Sequence, residues 1–480
     1  ELLDDKAINY RYVTLPVNVP IESVVVDYKD ILDEFVTHYS DRPEEVGIGE
    51  ESFKAFRDKN KKVVEYLAKE FEMKKAAKDH KRAATANSGI LNSEKLYTYK
   101  YNEHIFKKLT VVPDGKNHGL IMFVDWSGSM SHNMKGTIEQ MMTLVMFCKR
   151  VNIPFEVYAF SDSYYRYNSD GSRRRHYQFD TEWTPDRIWD QYLRPKNNEQ
   201  KHGDLAIQRF SLLNLFSSRM RAKEIHEAYI HMTATAHHYN RRYSYGYREE
   251  VPIPDAMNLG GTPLDSTLVM SFPLMREFQK KNQVDVINSI FLTDGDSGNG
   301  SYYWDNTITQ DRREYPISHY DTYNTNVIVR DPISKKQIKV NGKTRRQQFT
   351  RTLVNFSREV FNINIVNFFL VNKMRKWDII NLLDDIRREN GQSIDRSNFE
   401  EADSQMKKFR REKFFIAEGA SGFNEQYMIL GGKNLEVEEG KLEVGSDATP
   451  AQLARAFKSF SKGKLEKRKL LSRFINMVAV

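Results

Sequence analysis

The sequence predicts an α/β protein, a mostly parallel, doubly wound sheet with helices on both faces. Two observations carry that expectation. Apolar runs of strand length recur along the chain, at 119–124, 155–160, 286–292 and 363–370. Between the first two lies a helical pattern from about Met134, through Ile138, Met141, Met142, Val145 and Phe147. Strands that are apolar on both faces and separated by helices read as a parallel sheet with both faces covered.

The first strand is Gly119-Leu120-Ile121-Met122-Phe123-Val124, ending in Asp125-Trp126-Ser127-Gly128-Ser129-Met130. The second is Phe155-Glu156-Val157-Tyr158-Ala159-Phe160, ending in Ser161-Asp162. Upstream, residues 10–26 read as extended and 30–38 as a short helix. From Glu51 an amphipathic helix follows, with Phe53, Phe56, Val63, Val64, Leu67 and Phe71 at helical spacing. It runs into the basic tract Lys74-Lys75-Ala76-Ala77-Lys78, which reads as a solvated helix face. The expected organisation is a mainly helical region at 1–110 and an α/β domain at 111–480. The latter carries insertions at about 162–250 and 297–350, the second holding a hairpin of 327–330 against 337–340.

Composition narrows the function classes. Of 480 residues, 40% are hydrophobic and 29% charged, as in ordinary globular proteins. No run of about 18 apolar residues is present, so no membrane helix is expected. The opening Glu1-Leu2-Leu3-Asp4-Asp5 has neither the basic nor the apolar part of a signal peptide. One cysteine, Cys148, permits no intramolecular disulfide and fits a reducing, cytoplasmic setting, in a bacterium or an infected host cell. The net charge of +8 is compatible with an acidic partner or nucleic acid and diagnostic of neither.

Three separated pieces carry chemistry together. They are Asp125-x-Ser127-x-Ser129 after the first strand, Gly260-Gly261-Thr262-Pro263-Leu264 before a helical segment, and Thr293-Asp294-Gly295 after the third strand. Alone, the first is an ordinary strand-to-helix turn with capping hydroxyls and the last a simple turn. Together, both aspartates fall at strand ends, where ligands bind in open parallel sheets. Hydroxyls and carboxylates are hard oxygen donors that suit Mg²⁺, with Ca²⁺ or Mn²⁺ as alternatives. With few charged ligands the ion stays electrophilic and accepts an Asp or Glu side chain from a protein target.

In type and order, Asp125-Trp126-Ser127-Gly128-Ser129, Thr262 and Asp294 resemble the metal-ion-dependent adhesion motif of von Willebrand factor A (VWA) domains. The resemblance covers about 118–430 and implies a VWA, Rossmann-like sheet. It implies that Ser127 and Ser129 coordinate the ion directly. Thr262 and Asp294 would complete the shell, directly or through water, and Asp125 would hold it from close range. Gly128, Gly261 and Asp296 form the expected rim.

A narrower resemblance joins the segment from Asn87-Ser88-Gly89-Ile90-Leu91 to Leu96, Phe106-Lys107-Lys108 and the Asp-x-Ser-Gly-Ser-Met turn. These are similar to the CobT-type subunit of aerobic cobaltochelatase, as is Ser446-Asp447-Ala448-Thr449-Pro450-Ala451-Gln452-Leu453 near the end. That resemblance implies a non-catalytic adaptor working beside a MoxR-type AAA+ ATPase, as related pairs do in large tailed bacteriophages.

Rival expectations are an adhesion or structural module using the same site, such as a phage-particle component, and a nucleic-acid-binding VWA protein of the Ro type. A hydrolase built on His226, His231, His237 and His238 is a third. The spacing of His226-Glu227 to His231 is one residue too long for a zinc-protease helix. No Walker A sequence is present, so ATP hydrolysis is not expected here. The run Arg241-Arg242-Tyr243-Ser244-Tyr245-Gly246-Tyr247-Arg248 pairs charge with rings, as single-strand binders do. It reads first as a solvated insertion or a docking surface, and nucleic acid is the minority expectation.

Overall fold

Apolar runs become central strands here because both faces of the sheet are covered. A computed structural model describes residues 10–17, 19–82, 84–91, 100, 106–111, 117–164, 193, 201–244, 253–295, 297, 302–305, 317–319, 326–340, 347–361, 363–389, 397–419 and 422–432. In chain order the elements begin with β1 (Tyr10–Thr14), β2 (Val25–Val26), α1 (Tyr28–Tyr39), α2 (Pro43–Arg82), β3 (Ala84–Leu91), β4 (Phe106–Val111) and β5 (His118–Asp125). Next come α3 (Met134–Arg150), β6 (Phe155–Ser161), β7 (Leu205–Ala206), β8 (Ser211–Ser217), α4 (Ala222–Ser244), α5 (Leu264–Asn282) and β9 (Val286–Thr293). Then follow β10 (Tyr302–Trp304), β11 (Ile317–His319), β12 (Asn326–Arg330), β13 (Gln337–Lys339) and α6 (Gln347–Phe361). The described chain closes with β14 (Asn364–Val371), α7 (Lys376–Glu389), α8 (Ser397–Glu412), β15 (Phe414–Glu418) and β16 (Glu425–Leu430).

Eight strands form one sheet in the order β15-β16-β14-β9-β5-β6-β8-β2. The five from β16 to β6 are mutually parallel, whereas β8 runs antiparallel to β6 and β15 antiparallel to β16. Successive β5 residues serve opposite cores: Leu120, Met122 and Val124 join one hydrophobic cluster, and Ile121 and Phe123 the other. The first cluster includes side chains of α1, α2, α3 and α4, the second those of α5 and α6. The α/β class and the helices on both faces are therefore as the sequence predicts. From β5 the chain passes to β6 on one side and returns at β9 on the other. That reversal leaves a crevice outside the carboxyl ends of β5 and β9.

Residues 162–250, expected as an insertion, contribute two core elements, β8 and α4. The apolar signal of β8 is broken by Asn214 and Ser217, which are buried because both donate to Glu156 of β6, at 2.8 and 2.9 Å. Helix α4 looks polar in sequence for a similar reason. Its buried Thr233 and Thr235 hydroxyls return to helix carbonyls of Tyr229 and His231, at 2.8 and 2.9 Å.

The N-terminal helices share this core. Helix α2 crosses α4 so closely at Gly49 that a Cβ there would lie 2.8 Å from the Ile230 carbonyl. Val25 and Val26 pair with Leu212 and Leu213 as the outermost strand. The hairpin expected at 327–340 is present as β12 and β13, and β1 pairs with β12 in parallel. Cys148 is fully buried, and burial raises its thiol pKa well above the ordinary value.

Candidate metal centre

The three sequence pieces converge at the carboxyl ends of β5 and β9. Asp125 is the last residue of β5 and is fully buried. Its Oδ2 accepts from the Thr293 hydroxyl at 2.5 Å, which locks the end of β5 to the end of β9. Asp125 Oδ1 is buried without a hydrogen-bond partner. The Ser127 hydroxyl and amide lie near enough to favour the ionised carboxylate, but neither closes a bond to Oδ1.

Beyond Asp125 the chain enters a 3₁₀ turn, Gly128–Asn133, that leads into α3. This turn raises the two serines toward solvent by steps: Ser127 is buried and Ser129 exposed. Ser129 Oγ donates to Asp294 Oδ1 at 2.6 Å, and the Ser127 and Ser129 hydroxyls are 3.0 Å apart. A hydroxyl has one proton to give, so with Ser129 committed to Asp294 the Ser127 hydroxyl donates to Ser129. The polar series thus runs from Ser127 through Ser129 to the half-buried Asp294.

Thr262 enters from the third piece. Gly128 N–H donates to Gly260 O at 2.8 Å and Gly260 N–H to Trp126 O at 3.0 Å, a short parallel bridge that draws this loop beside the serine turn. A Cβ on Gly295 would lie 3.3 Å from the Thr262 hydroxyl, so the loop after β9 abuts it from the other side. Asp125, Ser127, Ser129, Thr262 and Asp294 therefore share one crevice, which grades from a buried floor to an open rim.

Sequence reasoning missed several supports. Asp162, just after β6, accepts from Gly261 N–H at 2.5 Å through Oδ1. It also explains both glycines. A Cβ on Gly260 would fall 2.5 Å from Asp162 Oδ1, and one on Gly261 would fall 2.7 Å from Oδ2. Its place at the end of a parallel strand beside β5 was the available signal. Trp126 Nε1 and the Tyr239 hydroxyl both donate to Met257 O, at 3.0 and 2.7 Å, and anchor the approach to the glycine loop. Asn133 Oδ1 accepts from Gly432 N–H at 2.7 Å. Glu34 of α1 accepts from the Tyr164 hydroxyl at 2.6 Å and from Ala256 N–H at 2.8 Å, tying the N-terminal helix to two loops around the crevice.

The electrostatics suit a cation. Burial pushes the Asp125 carboxyl up to about 7, and the Asp294 charge adds to the push. Burial also raises Asp294, against the Ser129 hydrogen bond. Two carboxylates are held partly out of water, one oxygen is buried unsatisfied, and among the described residues no ion pair to either carboxylate is present. Three hydroxyls and two carboxylates form a hard, oxygen-only donor set of the kind Mg²⁺ takes. Among the described residues no three His, Cys, Asp or Glu side chains gather as a metal-ligand group.

Other sequence candidates fall elsewhere. His231 is buried and stacked on Phe35 and Tyr39, with ring centroids 4.7 and 5.6 Å away, and burial lowers its pKa to about 4. His226 meets Phe53 at 5.4 Å. The segments at 87–91 and 106–108 pair as the hairpin of β3 and β4. Asp296, residues 92–96, 245–248 and 446–453 lie outside the described residues. Compared with known proteins, the chain matches no protein-family model and no curated protein.

Proposed function

We propose that this chain is a VWA-type, Mg²⁺-dependent protein-binding adaptor, working with a MoxR-type AAA+ ATPase in a cobaltochelatase-like assembly. The supporting observation is the crevice itself, where Asp125 Oδ1 is buried without a partner beneath a rim of Ser127, Ser129, Thr262 and Asp294. The three hydroxyls would hold the ion with Asp294, directly or through water, and Asp125 would neutralise it from below. Bound there, Mg²⁺ supplies an electrophilic coordination position for a carboxylate. The chain's own part is to orient the donors. Thr293 fixes Asp125, Asp162 fixes the glycine loop, and Trp126 with Tyr239 fixes the approach to that loop. No nucleophile–base pair is needed for such a task, so the chain's role is binding rather than catalysis. Ca²⁺ or Mn²⁺ fits the same donors.

The test is capture of the purified ATPase by this chain in Mg²⁺ and in EDTA, with Asp125→Ala alongside. Binding that needs Mg²⁺ and disappears in the variant is the expected outcome. Binding indifferent to EDTA, or none in either condition, would overturn the adaptor reading and leave the adhesion or structural alternative.

A further inference from the structure

Apart from the metal crevice, the small sheet β1-β12-β13 presents one face to the core and one to solvent. Val13, Val327 and Val329 point inward and are buried, with Ile338 packed against them. By the two-residue period of strands, the register positions on the other face are Tyr10, Tyr12, Thr14, Asn326, Ile328, Arg330, Gln337 and Lys339. All eight are exposed or half-exposed. Tyr10 and Tyr12 keep 44% and 42% of their surface in water.

The chemistry of this face is one-sided. Within the three strands it carries two tyrosine rings, an isoleucine, a threonine, two amides and two cations and no carboxylate, and Asp204 borders it at the β1 edge, bridged to Thr14. The Arg330 guanidinium lies 3.6 Å from the Tyr12 ring centroid and donates to Gln337 Oε1 at 3.2 Å, so it is presented as a fixed flat cation. Lys339 Nζ stands 5.9 Å from the Tyr10 centroid. From below, Arg11 braces β1, with its guanidinium 4.7 Å from the Tyr303 centroid.

We infer that this face is a stacking platform for single-stranded nucleic acid. Bases would stack on Tyr10 and on the Arg330–Tyr12 pair, and Arg330 and Lys339 would meet phosphates. Tyrosine rings and guanidinium planes are both surfaces on which unpaired bases stack. Residues two apart in a strand stand about 6.6 Å apart along the backbone, which leaves room for a base on each ring. An acidic peptide would use the two cations and leave the exposed rings without a role. A duplex would hide the base faces that those rings meet.

The test is fluorescence anisotropy of the full chain with labelled single strands of about 10 nucleotides. One strand carries bases and the other is abasic. The base-bearing strand should bind at least about fivefold more tightly, the lower end of what base–aromatic stacking contributes. In the double variant Tyr10→Ala/Tyr12→Ala that preference should vanish, while Tyr10→Phe/Tyr12→Phe keeps it. Arg330→Ala/Lys339→Ala should weaken both strands and lower the salt slope by about 1.4. No binding at low salt, equal affinity for the abasic strand, or an unchanged preference in the alanine variant would overturn the inference. So would polyglutamate competing as well as the base-bearing strand, since charge alone would then account for binding.

Discussion

The Ser129 hydroxyl donates to Asp294 Oδ1 at 2.6 Å, joining the turn after β5 to the turn after β9 across 165 positions of sequence. It is a direct side-chain link between the two turns of the rim. A metal bound between the same groups would compete for the Asp294 oxygen and for the Ser129 lone pairs. The hydrogen bond therefore reports where an ion would be gripped. Asp294→Asn removes a charge that burial disfavours and that raises Asp125. In EDTA its Tm should be no lower than that of the unaltered chain. In excess Mg²⁺ the unaltered chain should gain stability, about 2.7 kcal/mol at a hundredfold excess over Kd, and the variant should gain far less. Differential scanning fluorimetry in both buffers checks this. A lower Tm of the variant in EDTA would make Asp294 a structural residue.

The glycine loop offers a sharper geometric test. Gly260→Ala drives a Cβ to 2.5 Å from Asp162 Oδ1 and 2.7 Å from the Ser163 amide, and the latter is backbone that yields poorly. Overpacking of this kind costs about 1–3 kcal/mol, and Thr262 should be displaced with the loop. Gly128→Ala is the control, since its Cβ would meet only Gly260 O at an ordinary 3.9 Å. Calorimetric Mg²⁺ titration should show at least about tenfold weaker binding for Gly260→Ala. Equal affinities for the two variants would mean that the loop does not set the donor geometry.

Glu34→Ala probes the tie between α1 and the crevice. It leaves the Tyr164 hydroxyl and the Ala256 N–H without their acceptor. Losing partners for two partly buried donors costs about 1–3 kcal/mol, to be read from urea unfolding midpoints. Ala256 immediately precedes Met257, the acceptor for Trp126 and Tyr239, so Mg²⁺ binding should weaken as well. A stability loss with Mg²⁺ affinity intact would confine Glu34 to packing.

His231 predicts an acid-side signature. Its folded pKa is lowered from 6.5 to about 4 by burial, so between these values the unfolded chain takes up a proton that the native chain does not. The contribution is fully present above about 6.5 and is lost as pH falls toward 4, by roughly 3 kcal/mol at most. Raised carboxylates such as Glu34 and Glu156 act in the opposite direction. The readout is therefore the difference between the unaltered chain and His231→Phe, which preserves the stack on Phe35 and Tyr39. Between pH 7 and pH 4.5 the unaltered chain should lose stability relative to His231→Phe if His231 titrates as described. A constant difference would remove His231 from the acid response.

Much of the site was legible from residues alone. The run Leu120 to Val124 is apolar at every position because both sheet faces are covered, and that fixed β5 and the position of Asp125 at its end. The resemblance to the adhesion motif then named Ser127, Ser129, Thr262 and Asp294. Asp162 was harder to find because its carboxylate serves a loop about 100 residues away, and spacing along the chain does not reveal such a contact.

Sequence by itself determined the α/β class, the central strands, the lone buried thiol and the residue types of the candidate site. These are local matters of periodicity and turn chemistry. Only the tertiary structure decided that 211–217 and 222–244 belong to the core. The buried Asn214 amide N–H and Ser217 hydroxyl donate to Glu156 and the Thr233 and Thr235 hydroxyls to helix carbonyls, and a hydrophobicity pattern counts such residues as surface. It alone decided that β1, near one end of the chain, pairs with β12, more than 300 residues later in sequence. It alone left Asp125 Oδ1 buried without a partner, because whether an oxygen is satisfied depends on atoms brought together from distant segments.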